Sequence, residues 1–185
     1  MTAVAPSFLL ATDVPSVSGP TRLRLPDLLH ATDRTANDVL EGRYDHLLPP
    51  GGVPTDRRWF TRVHGDDELD VWLISWVPGH ATELHDHGGS LGALTLFTGA
   101  LDEFRWDRDQ LRRRRIEAGD QAAFPLGWVH DVVWAPSFTV DSAPEPTLSV
   151  HAYSPPLTAM SYYEVTERST LRRQRTELTD KPESE

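Results

Sequence analysis

The chain contains no cysteine. Disulfide cross-links, zinc–thiolate sites and a nucleophilic thiol of the protein's own are therefore excluded. Any metal must be held by His, Asp or Glu. No apolar run approaches the ~20 residues a helix needs to cross a bilayer, so no membrane partner is expected. The N-terminus lacks the basic start and apolar core of a secretory signal, and a cytoplasmic location is the default expectation. Positive charge is also scarce: 18 Lys and Arg face 28 Asp and Glu, a formal net charge of −10. Such a chain repels phosphate backbones, which argues against a nucleic-acid partner. The run Arg112 to Arg115 reads as a solvated strand edge rather than a binding patch. What remains is an ordinary globular composition over 185 residues, enough for one domain with a sizeable core.

Hydrophobic periodicity divides the chain. Residues 1 to about 20 hold three prolines and read as an irregular arm. Leu25, Leu28 and Leu29 are spaced for one helical face, and Asp33 is placed to cap a second short helix through Val39, Leu40 and Tyr44. Pro49-Pro50-Gly51-Gly52 breaks that pattern. The period then changes to two. Short segments rich in aromatic and β-branched residues recur at 58–64, 70–77, 93–97, 101–106, 111–116, 121–124, 129–134, 148–153 and 161–165, separated by turn residues. Many short strands at regular spacing predict a mainly β sandwich or barrel. The expected organisation is an arm with short helices over 1–52, a barrel over 53–166 and a polar, frayed tail over 167–185.

The sharpest chemical signal is a set of histidines. His85 and His87 stand at i and i+2, so on a strand both imidazoles leave the same face and can grip one ion. Such pairs also arise in strands that bind nothing. A second segment adds weight: Gly119, five residues, Pro125, one residue, Gly127, two residues, His130. A third imidazole from a neighbouring strand would complete a face of three nitrogen ligands.

Both segments resemble the paired motifs of the cupin superfamily, G-x5-H-x-H-x4-E-x6-G and G-x5-P-x-G-x2-H-x3-N. The resemblance implies a double-stranded β-helix (jelly-roll) barrel with a metal at its mouth. Two positions depart from it: Gly92 stands where the Glu ligand is usual, and Trp134 where Asn is common. Lack of the Glu resembles the cysteine dioxygenase, or thiol dioxygenase, family, and of its members the bacterial type. The run Leu73 to His87, the segment Ser149-Val150-His151-Ala152-Tyr153-Ser154-Pro155-Pro156 and the pair Thr61-Arg62 resemble the same family. The likeness spans about residues 58 to 157.

That resemblance implies Fe(2+) held by His85, His87 and His130, with a small thiol and O2 as partners. Three neutral ligands leave the ferrous charge undiminished, which favours a thiolate at the metal. On pattern alone, the polar face of residues 149, 151 and 153 is as ready to meet water as a metal. The resemblance turns it inward, with Tyr153 aimed at substrate or oxygen, His151 orienting Tyr153, and Ser149 orienting His151. Arg62 is implied as the carboxylate reader, because an arginine there goes with cysteine and a glutamine with 3-mercaptopropionate. Phe60 replaces a tyrosine near the substrate, and Trp76 packs under the site. Ser154–Pro155 is expected to be cis. Gly92 also occupies the place of a cysteine that some members cross-link to the tyrosine. The implied activity is oxidation of L-cysteine to its sulfinate. A 3-mercaptopropionate or other thiol dioxygenase, a cupin with another metal and a non-catalytic cupin stay open. A monomer or weak homo-oligomer is expected.

Overall fold

The computed structural model describes residues 23–80, 82–137 and 146–182. The N-terminal arm read from the sequence lies outside them. One helix, α1 (Leu25–Leu40), opens the described chain. Pro26 sits in its first turn, and the Asp27 carboxylate accepts from the backbone N–H of Arg24 at 2.8 Å. The two expected helices are one: α1 runs through Asp33, and only a single 3-10 turn, Asp45–Leu47, follows. Its buried residues Leu28, Thr32 and Ala36 are spaced by four. That continuous stripe packs on a sheet and carries the helix past a residue that favours caps.

Eleven strands follow: β1 (Phe60–Gly65), β2 (Asp70–Trp76), β3 (His85–Asp86), β4 (Leu91–Thr98), β5 (Ala100–Asp107), β6 (Gln110–Glu117), β7 (Gln121–Phe124), β8 (His130–Ala135), β9 (Thr147–Ser154), β10 (Ala159–Val165) and β11 (Leu171–Leu178). They form two antiparallel sheets, ordered β1-β2-β9-β4-β7 and β11-β10-β3-β8-β5-β6. Late strands lie between early ones, so this is no meander of successive hairpins; it is the winding of a cupin double-stranded β-helix. No described helix is long and apolar enough to cross a membrane.

Alternation splits β2 between two cores. Val71 and Leu73 join Ala93, Val150 and Ala152 under Leu28 and Ala36 of α1. Trp72, Ile74 and Trp76 point the other way, into the barrel, with Leu94, Leu96, Leu101, Phe124 and Tyr153. Gly99 turns β4 into β5 with φ of 77°, and a Cβ there would collide with the Thr147 side chain. The Ser154–Pro155 bond is cis.

Two regions differ from the sequence reading. The tail expected to fray contains β11, paired along β10 from Ala159↔Leu178 to Val165↔Leu171. Its arginines are at home on an exposed edge strand, where Arg172 pairs with Glu164 and Arg175 with Glu177. The other arginine run, on edge strand β6, is likewise engaged: Arg112 with Asp107, Arg113 with Asp102, and Arg114 with the carbonyl of Gln121.

Candidate metal centre

β3 is only two residues long, yet it places the site. It lies between β10 and β8, with His85 directly opposite His130. His87 follows two residues on, on the same face. One nitrogen from each of the three rings lies within 4.8 Å of the others, and no other such group of potential ligands occurs among the described residues. The Nε2 atoms of His87 and His130 are 3.5 Å apart. Nitrogens about 2.1 Å from a shared ion stand roughly 3 Å apart, so these rings need only a small adjustment to hold one.

The outer nitrogens are tied back. His85 Nδ1 meets the carbonyl of Glu83 at 2.7 Å, and His130 Nδ1 meets Glu103 Oε1 at 3.2 Å. Each bond leaves Nε2 for the centre. Burial pushes the pKa of His85 below its ordinary value, and those of His87 and His130 well below. The mutual repulsion of the rings adds to the effect at His87 and His130. The imidazoles are therefore neutral near pH 7, the form that ligates a metal. A divalent ion fits this donor set: three neutral nitrogens converge without any cation-quenching group among them.

Two features keep a carboxylate out of the ligand set. A Cβ at Gly92 would stand 2.9 Å from Phe124 Cδ2 and 3.3 Å from His87 Nδ1, so the position has no room for a side chain. Phe124 fills that space and packs on His130 with ring centroids 4.2 Å apart. Glu103 is buried nearby, but its Oε1 addresses the outer nitrogen of His130 and the indole N–H of Trp128, 3.1 Å away. The sequence reading missed Glu103. Its signal was a carboxylate two residues after Leu101, on the apolar face of a strand.

Ser149, His151 and Tyr153 do face inward from β9. The Tyr153 ring lies 4.9 Å from that of His87, and its hydroxyl is 3.1 Å from His151 Nδ1. Burial lowers the His151 pKa to about 3 and raises that of the Tyr153 phenol, so both groups are neutral. The expected link from Ser149 to His151 is not formed. Ser149 Oγ accepts from Trp76 Nε1 at 2.8 Å, and His151 Nε2 is buried without a hydrogen-bond partner. Ser149 is thus engaged by an indole on β2 rather than by the imidazole two positions along β9.

Arg62 pairs with Asp70 at 3.2 Å, lies 5.4 Å from the Trp72 ring, and leaves its side chain 48% exposed. None of its described contacts is with the three histidines or Tyr153. A buried carboxylate draws it away: burial raises the Asp70 pKa, and the Arg62 hydrogen bond and charge oppose that rise. Phe60 faces the barrel interior against Trp72, at 6.0 Å. It is Arg58, which the sequence reading passed over, that stacks on Trp76 with Cζ 4.0 Å from the ring centroid. Near the mouth, Thr82 Oγ1 donates to Asp131. Arg175 of β11 grips Glu83 through both oxygens, at 2.6 and 2.9 Å, and lies 3.8 Å over Tyr162. The strand read as a tail thus braces the loop that delivers His85.

Known proteins place this arrangement. The pattern of the family described as Cysteine dioxygenase type I matches residues 53–166. Cysteine dioxygenase type 1 of Rattus norvegicus is 28% identical over 96 residues, 50% of this chain and 48% of that protein. The Homo sapiens protein of the same name is 27% identical over 99 residues, with the same shares. The chain spans about half the length of these curated relatives. Among solved structures, a double-stranded β-helix protein from Klebsiella pneumoniae is similar at 21% identity and TM-score 0.45, over 60% of this chain and 85% of that one. A cupin superfamily protein from Desulfitobacterium hafniense is similar at 9% identity and TM-score 0.45, over 58% and 94%. With the family pattern covering most of the barrel and both of its histidine segments, the chain belongs to the cysteine dioxygenase type I family.

Proposed function

We propose that the protein is a non-haem iron thiol dioxygenase that converts L-cysteine and O2 to cysteine sulfinate. One observation carries the reading: three buried, neutral imidazoles converge with no carboxylate among them. Fe(2+) bound there would supply an unquenched double positive charge and open positions for a thiolate and for dioxygen. The balance is simple. Both oxygen atoms of O2 pass to sulfur, R–SH becoming R–SO2H, and no outside reductant is needed.

The chain's own groups hold and shield. His85 and His130 are fixed by the Glu83 carbonyl and the Glu103 carboxylate behind them, so two of the three ligands are set before substrate arrives. Tyr153 keeps its proton and offers it as a hydrogen bond to the oxygen side of the reaction. In that role its oxygen accepts from His151 Nδ1–H, which fixes the phenol's direction. Trp76, Phe60 and Phe124 keep bulk water from the reacting sulfur. Ser149 acts at one remove by holding Trp76.

The test is an oxygen-uptake panel on iron-loaded protein, over L-cysteine, cysteamine, homocysteine and 3-mercaptopropionate. Uptake matched one-to-one by sulfinate, fastest with L-cysteine, is the expected result. A fastest rate on 3-mercaptopropionate keeps the chemistry and changes the substrate. Silence on every thiol overturns the proposal.

A further inference from the structure

β3 carries His85 and leads into His87, yet it is short of ladder partners. It pairs with β10 at Ser161↔Asp86 and Tyr162↔His85, and with β8 at His85↔His130. The described residues between Trp76 and His85 form no helix or strand. A segment of this kind has little of its own to fix where two imidazoles point. Two carboxylates belong to it, Glu83 just before His85 and Asp86 between the two histidines, and side-chain hydrogen bonds lead from both to β11.

The first path runs through Glu83. Its carbonyl meets His85 Nδ1 at 2.7 Å, and its carboxylate accepts from Nη1 and Nη2 of Arg175 at 2.9 and 2.6 Å. Arg175 Nε donates to Glu177 at 2.6 Å, and Cζ lies 3.8 Å from the ring centroid of Tyr162, the residue opposite His85 in the ladder. A guanidinium fork bound on both prongs and resting on a ring has few orientations left. The second path runs through Asp86. Its Oδ1 accepts from the backbone N–H of Gly88 at 2.9 Å, closing a turn around His87. Its Oδ2 accepts from the Tyr163 hydroxyl at 2.6 Å, and that hydroxyl oxygen accepts from Nε and Nη2 of Arg173 at 3.3 and 3.1 Å. The register between β10 and β11 shifts between Tyr162 and Tyr163, with Arg175 opposite the one, Arg173 opposite the other and Gln174 as the extra residue. Arginines two apart would share one face of a regular strand. The bulge sets them against successive tyrosines, which point to alternate faces.

We propose that Arg173 and Arg175 are positioning residues for the metal centre: a two-armed brace from β11 that holds β3 from both faces of its sheet, so that His85 and His87 meet a shared ion in one geometry. The proposal rests on the three-histidine centre and is independent of which thiol reacts there. Both arginines lie beyond residues 53–166, the span that the family pattern matches. Exposed ion pairs contribute little to folding. The value of these lies in fixing the strand that delivers the ligands.

The experiment uses Co(2+), whose absorption reports the geometry of its ligands. Chelator competition measures its affinity for the whole chain as wild type, Arg175→Gln, Arg175→Lys, Glu83→Gln, the double variant Glu83→Gln/Arg175→Gln, and Tyr163→Phe, which cuts the Arg173 arm. Thermal melts of each metal-free protein run alongside. Arg175→Gln and Tyr163→Phe should each weaken Co(2+) binding by about 3- to 10-fold and alter the absorption of the bound ion, with the metal-free melting temperature moving by less than about 4 °C. Arg175→Lys should recover part of the loss, since an ammonium keeps the charge but not the fork. The double variant should match Arg175→Gln within about twofold, because its two changes remove the same contact. Wild-type affinity and absorption in Arg175→Gln or in Tyr163→Phe, losses that multiply in the double variant, or a lowered melting temperature with affinity intact overturn the proposal and leave the metal centre standing. If the wild type itself binds no Co(2+), the centre falls and the brace with it.

Discussion

The two faces of the five-stranded sheet are built from different chemistry. The outer face presents Val71, Leu73, Ala93, Val150 and Ala152 to the helix, a dry layer of aliphatic side chains. Its polar contact, the chain from Thr32 to Thr95 to Gln121, is satisfied within itself. The inner face carries Trp76, Ser149, His151 and Tyr153, and across the barrel from it stand three buried imidazoles. The helix side is core alone, whereas the barrel side joins a core to the candidate site. A strand such as β9 serves both because its side chains alternate.

That division can be broken from either side. The largest effect should come from acid. The folded protein holds His151 with a pKa of about 3, against an ordinary 6.5, and His85, His87 and His130 move the same way. Between those values the unfolded chain takes up protons that the folded one refuses. The stability contribution is complete above about pH 6.5 and is lost as pH falls from there towards 3. Thermal melts of metal-free protein at pH 7.5 and pH 4.5 should differ sharply, and equal midpoints would contradict the burial of these rings.

Next comes the outer face. Leu73→Ala should cost about 2–5 kcal/mol of folding stability through the cavity it leaves. Chemical denaturation would measure that, while the metal bound per chain of the folded protein stays at the wild-type value. Smaller still is Glu103→Gln on the inner side. It should weaken metal affinity by about 10- to 100-fold in chelator competition, with a modest change in melting temperature. Arg113→Ala on the exposed edge strand sets the floor. Its ion pair with Asp102 is solvent-accessible on the arginine side, so a change within about 1 kcal/mol is expected.

Most of the barrel was legible because burial on alternate faces writes a period of two. The pair His85 and His87 was legible because residues at i and i+2 share a strand face, while His130 was legible through the segment from Gly119 to His130 and its family resemblance. What escaped the reading has physical causes. β3 is two residues long, too short to show any period, and only its partners β8 and β10 make it a strand. β11 reads as a solvated tail because an exposed edge strand tolerates arginine on both faces. Asp33 looks like a cap, but the stripe of Leu28, Thr32 and Ala36 outweighs it. Glu103 and Arg58 gain their meaning from residues far along the chain, His130 and Trp76, that no local pattern connects to them. The same holds for Ser149, whose partner is an indole on another strand rather than the histidine two positions away.

The tight packing at Gly92 constrains how this site can change. With the Phe124 ring edge 2.9 Å from where a Cβ would begin, neither a carboxylate nor a thiol can be introduced there by one substitution without displacing that ring from His130. A side chain at position 92 calls for a matching shift at residue 124, so the all-nitrogen centre is guarded there by packing as well as by chemistry.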